Sequence, residues 1–244
     1  MKWVRILCGL LVFVLMLCQI AAPVFAYNES SGKVIKFSSK SHVQDRIKVA
    51  NLPDANVTLL AIKEDKWFKY FQLTVGKRNK EFVHWMNVTD HDFQPKLYSI
   101  DVTNTGQEEI IVVLTTDRDK GVYINEAHVL ERTLVDKTDV VKEIYIENPR
   151  IIAAQKVNMK RTKRGVVLVV DGKSTFIPNN KLDSKEELPQ LSMEHFVKFT
   201  IEDNTLKAIL LVEEKPNHYY GNIVITYEYA NGIMKAEKVE LRLG

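Results

Sequence analysis

Cysteine is nearly absent from this sequence. The 244 residues include only two cysteines, Cys8 and Cys18, and both fall within the first 26 residues. The rest of the chain holds none. A disulfide framework, a thiolate metal site and a cysteine nucleophile are therefore excluded beyond residue 26.

The sequence also lacks an excess of either charge. Lysine and arginine number 34, and aspartate and glutamate number 31. If the first 26 residues are removed, Lys2 and Arg5 go with them and 32 basic residues face 31 acidic ones. This balance gives no indication of a nucleic-acid partner. It also argues against strong electrostatic attachment of the whole protein to anionic lipid or wall polymer.

The first 26 residues have the three parts of a Sec-type signal peptide. Two positive charges lie in residues 1–5, an apolar run covers residues 6–22, and Val24-Phe25-Ala26 provides a cleavage site. We therefore predict that residues 1–26 are removed. The mature protein is then secreted or lies at the extracellular face of the membrane or cell wall, without stable membrane insertion. The alternative is an uncleaved anchor, because the apolar run approaches the length of a membrane span.

The combination of an export signal and a mature chain without cysteine indicates the source. Exported proteins from organisms that use disulfides seldom avoid cysteine completely. The sequence is therefore typical of a bacterial protein, most simply one from a Gram-positive bacterium.

Most of the mature sequence is predicted to form β-strands. Runs rich in β-branched and aliphatic residues, or alternating between apolar and polar residues, indicate strands at 57–62, 70–75, 81–86, 109–114 and 121–130. The run at 109–114 is apolar after its first residue, which is typical of a strand covered on both faces.

Three pairs of turn residues in the last third of the chain predict β-hairpins. Asp171-Gly172, Asp203-Asn204 and Asn231-Gly232 each lie between two strand-like runs. Asn, Asp and Gly accept the positive φ angles that a two-residue hairpin turn requires at both central positions. An antiparallel β-domain is the expected result.

Helix is scarce, and a charged segment divides the strands into two groups. Short helices are predicted at 137–143 and 184–188, a turn opens at Asn148-Pro149, and residues 178–191 form an exposed loop. We predict a mainly β protein with two antiparallel, sandwich-like β domains and few short helices. The divisions are 1–26 for the signal peptide, 27–140 for the first domain and 141–244 for the second.

The segment Leu97-Tyr98-Ser99-Ile100-Asp101-Val102-Thr103-Asn104-Thr105-Gly106-Gln107-Glu108-Glu109-Ile110-Ile111-Val112-Val113 has a polar loop before an apolar strand. It resembles a single FG-GAP or VCBS-type repeat, and residues 93–131 as a whole resemble exported Bacillus-type proteins of unknown function that contain one such motif. A β-propeller is not expected, because that fold needs at least four blades.

The resemblance implies a calcium loop, with oxygen ligands from Asp101, Thr103, Thr105 and Glu109 and with Gly106 at the turn. Two threonines occupy positions where carboxylates would supply the charge that gives calcium affinity. The alternative is a metal-free turn whose side chains cap the backbone. We assign no metal and no cofactor on this basis.

Other motifs give no catalytic assignment. Residues 84–92 contain His84, Asp90, His91 and Asp92, but a separation of seven residues between the histidines matches no standard metal-ligand spacing, which favours a strand end followed by a polar turn. The Gly-x-Ser-x-Gly elbow of serine hydrolases is absent, and the other histidines are isolated in sequence. No catalytic, cofactor-binding or metal-binding residue is assigned.

Two further features favour ordinary structural roles. The aromatic cluster at 67–71 is predicted to contribute half of its rings to the core. The basic residues at 156–164 are predicted to form a solvated turn.

These observations predict an exported, non-enzymatic binding or scaffolding protein of the bacterial cell envelope or extracellular space. Its partner would be an envelope protein or polymer. The alternative is a secreted hydrolase that acts on cell-wall polymer or peptide, since catalytic residues distant in sequence can assemble in the fold.

Overall fold

A computed structural model describes residues 45–118, 122–135, 138–162, 164–178, 191–193, 195–214 and 218–243. The predicted signal peptide, the predicted helix at 184–188 and most of the predicted loop at 178–191 lie outside these ranges. Within them, no helix is both long enough and apolar enough to cross a bilayer.

The described chain consists of strands joined mainly by short turns, which confirms the prediction of a mainly β, sandwich-like fold with few short helices. The first nine strands are β1 (Ile47–Leu52), β2 (Val57–Glu64), β3 (Trp67–Val75), β4 (Arg78–Phe82), β5 (Asn87–Val88), β6 (Lys96–Ile100), β7 (Glu109–Asp117), β8 (Tyr123–Val135) and β9 (Thr138–Ile144). The helix α1 (Pro149–Lys156) follows. The remaining strands are β10 (Val157–Thr162), β11 (Gly165–Val170), β12 (Lys173–Pro178), β13 (Leu191–Ser192), β14 (Phe196–Glu202), β15 (Thr205–Glu214), β16 (His218–Ala230) and β17 (Ile233–Leu243).

The strands form three sheets. The first sheet has the order β1-β2-β3-β4, with β5 also paired to β3. The central sheet has nine strands, in the order β17-β16-β15-β14-β8-β7-β6, with β9 on β8 and β13 on β15. The third sheet has the order β10-β11-β12. All these pairings are antiparallel except a short parallel contact between β8 and β14, at Tyr123 and Phe196.

Two core clusters lie on the two faces of strand β7. One face contributes Ile110, Val112 and Leu114 to a cluster shared with the first sheet. The other face contributes Ile111 and Val113 to a cluster shared with the third sheet, α1 and strands β14 to β17. The prediction that 109–114 forms a strand covered on both faces is therefore confirmed.

The three predicted hairpins are confirmed. Strands β11 and β12 pair across Asp171-Gly172, β14 and β15 across Asp203-Asn204, and β16 and β17 across Asn231-Gly232. Both central residues of each turn have positive φ, between 46° and 83°. This backbone geometry matches the twist of the flanking strands, and it explains why these residue pairs are reliable signals.

The turn predicted at Asn148-Pro149 is the first turn of helix α1, a helix that sequence analysis did not predict. The Asn148 side chain accepts a hydrogen bond from the backbone N–H of Arg150 at 2.9 Å, and Pro149 occupies the first helical position. An asparagine cap followed by proline satisfies a free N–H and fixes φ at the point where the helix begins.

The helix predicted at 137–143 is wrong, because strand β9 occupies residues 138–143, the described part of that range. It forms a hairpin with β8 in which all seven residues of β9 have partners. Ile144 at its end is buried, with 4% of its surface exposed. Pairing with a long neighbouring strand outweighs the weak local helix propensity of a short charged segment.

The strand predicted at 81–86 ends early, at Phe82. A turn at residues 83–84 follows, and Trp85 then packs flat on Phe82 with ring centroids 3.7 Å apart. Residues three positions apart face opposite sides of a strand. The turn therefore allows both rings to enter the same core.

The aromatic cluster at 67–71 is interrupted by a bulge. Tyr70 has a φ of 51° and lies where the pairing of β2 with β3 shifts register. This extra residue places both Phe68 and Phe71 in the core, while 42% of Tyr70 is exposed. The prediction that half of the cluster is core is confirmed.

Strands from both sides of residue 140 belong to the central sheet and to one core cluster. Separating the chain at this point would cut the contact between β8 and β14. The division into domains 27–140 and 141–244 stays a prediction about independent folding.

Candidate ligand-binding cleft

An open cavity of about 740 Å³ lies at one end of the central sheet, where β6, β7, β8 and β14 meet the short 3₁₀ turn His91–Phe93. Cavities that hold small ligands have volumes of about 300–1,000 Å³. We call this cavity the cleft. Aromatic, basic and amide side chains line most of it.

The floor of the cleft is polar although it is buried. Thr115 on β7 and Asn125 on β8 are direct partners in the sheet, and each exposes only 5% of its surface. Asn125 Nδ2 donates to Thr115 Oγ1 at 3.0 Å, and the Tyr123 hydroxyl donates to Asn125 Oδ1 at 3.1 Å. Because the floor groups bond to one another, their positions in the cleft are fixed.

Asn87 joins the floor to one wall. It is fully buried, and its Oδ1 accepts a hydrogen bond from the backbone N–H of Thr115 at 2.6 Å. Its Nδ2 donates to the backbone oxygens of Val88 and Phe93, at 2.6 and 2.8 Å. One amide therefore ties β7 to the 3₁₀ turn that carries Phe93.

Three aromatic rings form the wall. The ring centroids of Phe93 and Tyr123 are 5.5 Å apart, and those of Tyr123 and Phe196 are 5.1 Å apart. The parallel pairing of β14 with β8 places Phe196 beside Tyr123, and the backbone N–H of Tyr123 donates to His195 O at 2.7 Å. The wall is thus built from three separate parts of the chain.

Cations surround this wall. The guanidinium of Arg118 lies 3.8 Å from the centroid of Phe93 and pairs with Asp90, whose side chain also caps the 3₁₀ turn. Lys96 on β6 and Lys198 on β14 line the cleft from its two sides. Asp92 is the one carboxylate among the lining residues that the structure describes.

The side chains that line the cleft are suited to binding. Neither histidine, serine nor cysteine occurs among its described lining residues. Thr115, the buried hydroxyl group there, accepts a hydrogen bond from the Asn125 amide.

The polar segment at 84–92 contributes to the cleft with residues that sequence analysis did not emphasise. Asn87, Asp90 and Asp92 lie in or beside the cleft, whereas the His91 side chain is fully exposed and His84 lies in an exposed turn. Among the described residues, no three histidine, aspartate, glutamate or cysteine side chains are grouped as metal ligands. The predicted polar turn is confirmed at His91–Phe93, which follows β5, whereas His84 lies in a turn and not in the predicted strand.

The loop that resembles an FG-GAP repeat is held by hydrogen bonds to its own backbone. Asp101 accepts from the N–H groups of Thr105 and Gly106, at 3.1 and 2.8 Å. Glu109 is buried and accepts from the N–H groups of Val102 and Thr103 and from the Thr103 hydroxyl. Burial raises the pKa of the Glu109 carboxyl, and these hydrogen bonds oppose that shift. Calcium binding at Asp101, Thr103, Thr105 and Glu109 stays a prediction of the resemblance.

A serine, a histidine and a glutamate meet beside β13 and β15. Ser192 Oγ lies 3.1 Å from His195 Nδ1, and Glu213 Oε1 lies 3.4 Å from the same nitrogen. A catalytic triad uses both ring nitrogens, one for the nucleophile and one for the acid. Because both partners approach Nδ1, this cluster does not have triad geometry.

A second histidine, His128, packs against the first core cluster. His128 Nδ1 lies 2.7 Å from Glu143 Oε1, and its ring stacks on Trp85 with centroids 4.2 Å apart. Trp85 in turn stacks on Phe82. Sequence analysis treated His128 as isolated because its partners are far away in the chain.

Replacing Glu143 by glutamine should flatten the acid side of the stability curve. The hydrogen bond with His128 lowers the pKa of the Glu143 carboxyl; burial opposes this, and the charges of His128, His84 and Lys80 add to it. A carboxyl with a lowered folded-state pKa stabilises the fold above its unfolded pKa, and this stabilisation is lost as the pH falls through the folded-state value. Wild type should therefore exceed E143Q in urea midpoint at pH 7, by a margin that shrinks as the pH falls below the ordinary glutamate pKa of about 4.3.

The matched control is Glu237→Gln, which removes the same group from an exposed position on β17. Its midpoints should follow those of wild type across the pH range. Parallel curves for wild type and E143Q would contradict the assigned role of Glu143.

Comparisons with protein-family models, with curated proteins and with solved structures found no match to this chain. A function for it is therefore argued from the chemistry of its own sites.

Proposed function

We propose that this chain is an exported, non-enzymatic binding protein of the bacterial cell envelope or extracellular space, and that the cleft is its ligand site. The observation that supports this most directly is the composition of the cleft: three aromatic rings around a buried polar floor. Ligand sites typically combine an apolar lining with a few fixed polar groups.

The buried floor supports a binding role on energetic grounds. A packed pair of apolar side chains at Thr115 and Asn125 would avoid the cost of desolvating an amide and a hydroxyl group. The chain instead keeps both, and it holds them with Tyr123 and Asn87. Polar groups held in place before a ligand arrives reduce the ordering cost of binding.

The location is part of the proposal and depends on the leader at residues 1–26. Its charged start, apolar run and small-residue exit support export. An envelope polymer or protein would then be the ligand that the cleft meets.

The test is sedimentation of the mature chain, residues 27–244, with purified cell-wall sacculi of a Gram-positive bacterium that keep their attached polymers. Wild type should sediment with the sacculi, and Phe196→Ala should weaken the apparent affinity by about tenfold, the effect of losing about 1.4 kcal/mol. Phe176→Ala is the matched control, since 51% of Phe176 is exposed on β12, outside the cleft. Loss of sedimentation by both variants, or by neither, would contradict the proposal.

The alternative is a secreted hydrolase. Ser192, His195 and Glu213 lie together, but a hydrolase that used them would need the imidazole to turn so that its two nitrogens face different partners. The same incubation distinguishes the two functions. Soluble wall fragments that accumulate with wild type and disappear with Ser192→Ala would favour hydrolysis. Intact sacculi with bound protein would favour binding.

A further inference from the structure

We propose that the ligand of the cleft is an anionic carbohydrate, whose sugar rings lie on the aromatic wall while a carboxylate or phosphate group is held by Lys96 and Lys198. This inference rests on the proposed function, because it names the ligand class of the same site. It is carried by the two lysines and their position relative to the rings.

Lys96 and Lys198 are the two lysines among the described residues that line the cleft. Among the described residues, neither forms a salt bridge or a side-chain hydrogen bond. Lys69, Lys156 and Lys207, in contrast, each pair with a carboxylate at 2.8–3.0 Å. The two cleft lysines lie on different strands, β6 and β14, and line the same cavity. Lys198 has an acidic neighbour in Glu202, but that carboxylate already pairs with Lys207 at 2.8 Å. Two ammonium groups at one cavity, with Asp92 as the one carboxylate among its described lining residues, favour an anion there.

The other charges of the cleft leave this preference in place. Arg118 is already paired with Asp90, so its guanidinium contributes little free charge. Asp92 is mostly exposed, with 78% of its side chain accessible, and lies 3.7 Å from His91. Lysine provides a compact, mobile charge that suits a single carboxylate or phosphate group on a flexible polymer.

The wall and floor match the rest of a sugar. The rings of Tyr123 and Phe196 offer apolar faces to the C–H side of a sugar ring. Asn125 and Thr115 lie beside them, and the hydrogen bond between the two side chains fixes their oxygen and nitrogen atoms. These polar atoms suit the hydroxyl groups of a sugar ring. Aromatic faces, amide groups and cations together correspond to a charged carbohydrate more closely than to a fatty chain or a bare ion.

A nucleic acid or a membrane fits the structure less well. Binding to either requires a positively charged surface that extends along the protein. The mature chain has nearly equal numbers of basic and acidic residues, which does not favour such a surface. Lys96 and Lys198 instead lie together at one concave site. We therefore commit to a carbohydrate, and the other polyanions become outcomes of the test.

The test measures binding to the mature chain by calorimetry. Three probes are used: a neutral N-acetylglucosamine oligomer, an oligogalacturonide that carries carboxylates, and a glycosylated poly(glycerol phosphate) that carries phosphates. At least one charged probe should bind about tenfold or more tightly than the neutral one. The two charged probes distinguish a carboxylate ligand from a phosphate ligand.

The double variant Lys96→Glu, Lys198→Glu should weaken binding of the preferred charged probe by at least a hundredfold. The matched control is Lys48→Glu, Lys173→Glu, which changes the net charge equally at two exposed positions outside the cleft. The control should retain binding within about threefold. Equal losses in both double variants would overturn the inference, since they would indicate a general charge effect. Tighter binding to single-stranded DNA or to anionic lipid vesicles than to either charged glycan would overturn it as well.

The failure of this inference differs from the failure of the proposed function. If sacculi binding depends on Phe196 but is unchanged in the Lys96→Glu, Lys198→Glu variant, the cleft binds a ligand of another class and only the inference fails. If sacculi binding is absent or independent of Phe196, the proposed function fails too.

Discussion

Replacing Gly165 by alanine should lower the free energy of unfolding by about 3 kcal/mol or more. Gly165 begins β11, with a φ of 156°, and its Cα lies against the backbone of β12. A Cβ at this position would lie 2.1 Å from Ile177 O, far inside van der Waals contact. A non-glycine residue in such a conformation costs about 1–3 kcal/mol. Moving a packed backbone apart costs about 1–3 kcal/mol more.

The other end of the same hairpin provides the control. Gly172 has a φ of 79°, and a Cβ there would have no heavy atom within 4 Å. Gly172→Ala should therefore lower the free energy of unfolding by only about 1–2 kcal/mol, the cost of holding an alanine in the left-handed conformation. Urea unfolding at constant m-value measures both changes. Equal destabilisation of the two variants would mean that the close approach of Gly165 to Ile177 does not limit stability.

The two glycines illustrate which parts of this fold are visible in the sequence. Gly172 follows an aspartate between two strand-like runs, and this local pattern predicts its turn. Nothing near Gly165 in the sequence indicates that a neighbouring strand passes so close. Turns and strand periodicity are properties of a few consecutive residues, whereas strand contacts depend on residues far away.

The errors of prediction have the same origin. The segment that forms β9 has charged residues and a weak helical pattern, and its pairing with β8 decides its structure. Phe82 and Trp85 are three residues apart in the sequence. This spacing places two side chains on opposite faces of a strand, and it does not by itself indicate a sharp turn. Their stacking within the first core cluster explains the turn at 83–84.

The cleft could be predicted only in part. Residues 84–92 attracted attention because of their histidines, yet the buried amide of Asn87 has the structural role in that segment. Phe93, Tyr123 and Phe196 are far apart in sequence, and only the fold brings them together. The balanced net charge of the chain also conceals the cations that line the cleft, because a net charge does not say where in the fold the charged residues lie.

Asn87→Ala should be the most damaging substitution near the cleft, with a loss of about 3 kcal/mol or more in unfolding free energy. The change leaves the backbone N–H of Thr115 and the backbone oxygens of Val88 and Phe93 without the partner that they have in wild type. Each buried polar group that loses its hydrogen bond costs about 1–3 kcal/mol. The cavity left by the side chain adds to that loss.

Asn158→Ala serves as the control for Asn87→Ala, because Asn158 is an exposed asparagine on β10. Its unfolding free energy should stay within about 0.5 kcal/mol of wild type. Two-dimensional NMR of the surviving folded N87A should show its largest backbone shifts at Thr115 and at Phe93, which lose the same amide, and small shifts in the β16–β17 hairpin. If N87A is as stable as N158A, Asn87 does not tie β7 to the aromatic wall. The wall would then have to be held by the pairing of Arg118 with Asp90 and by its stacking on Phe93.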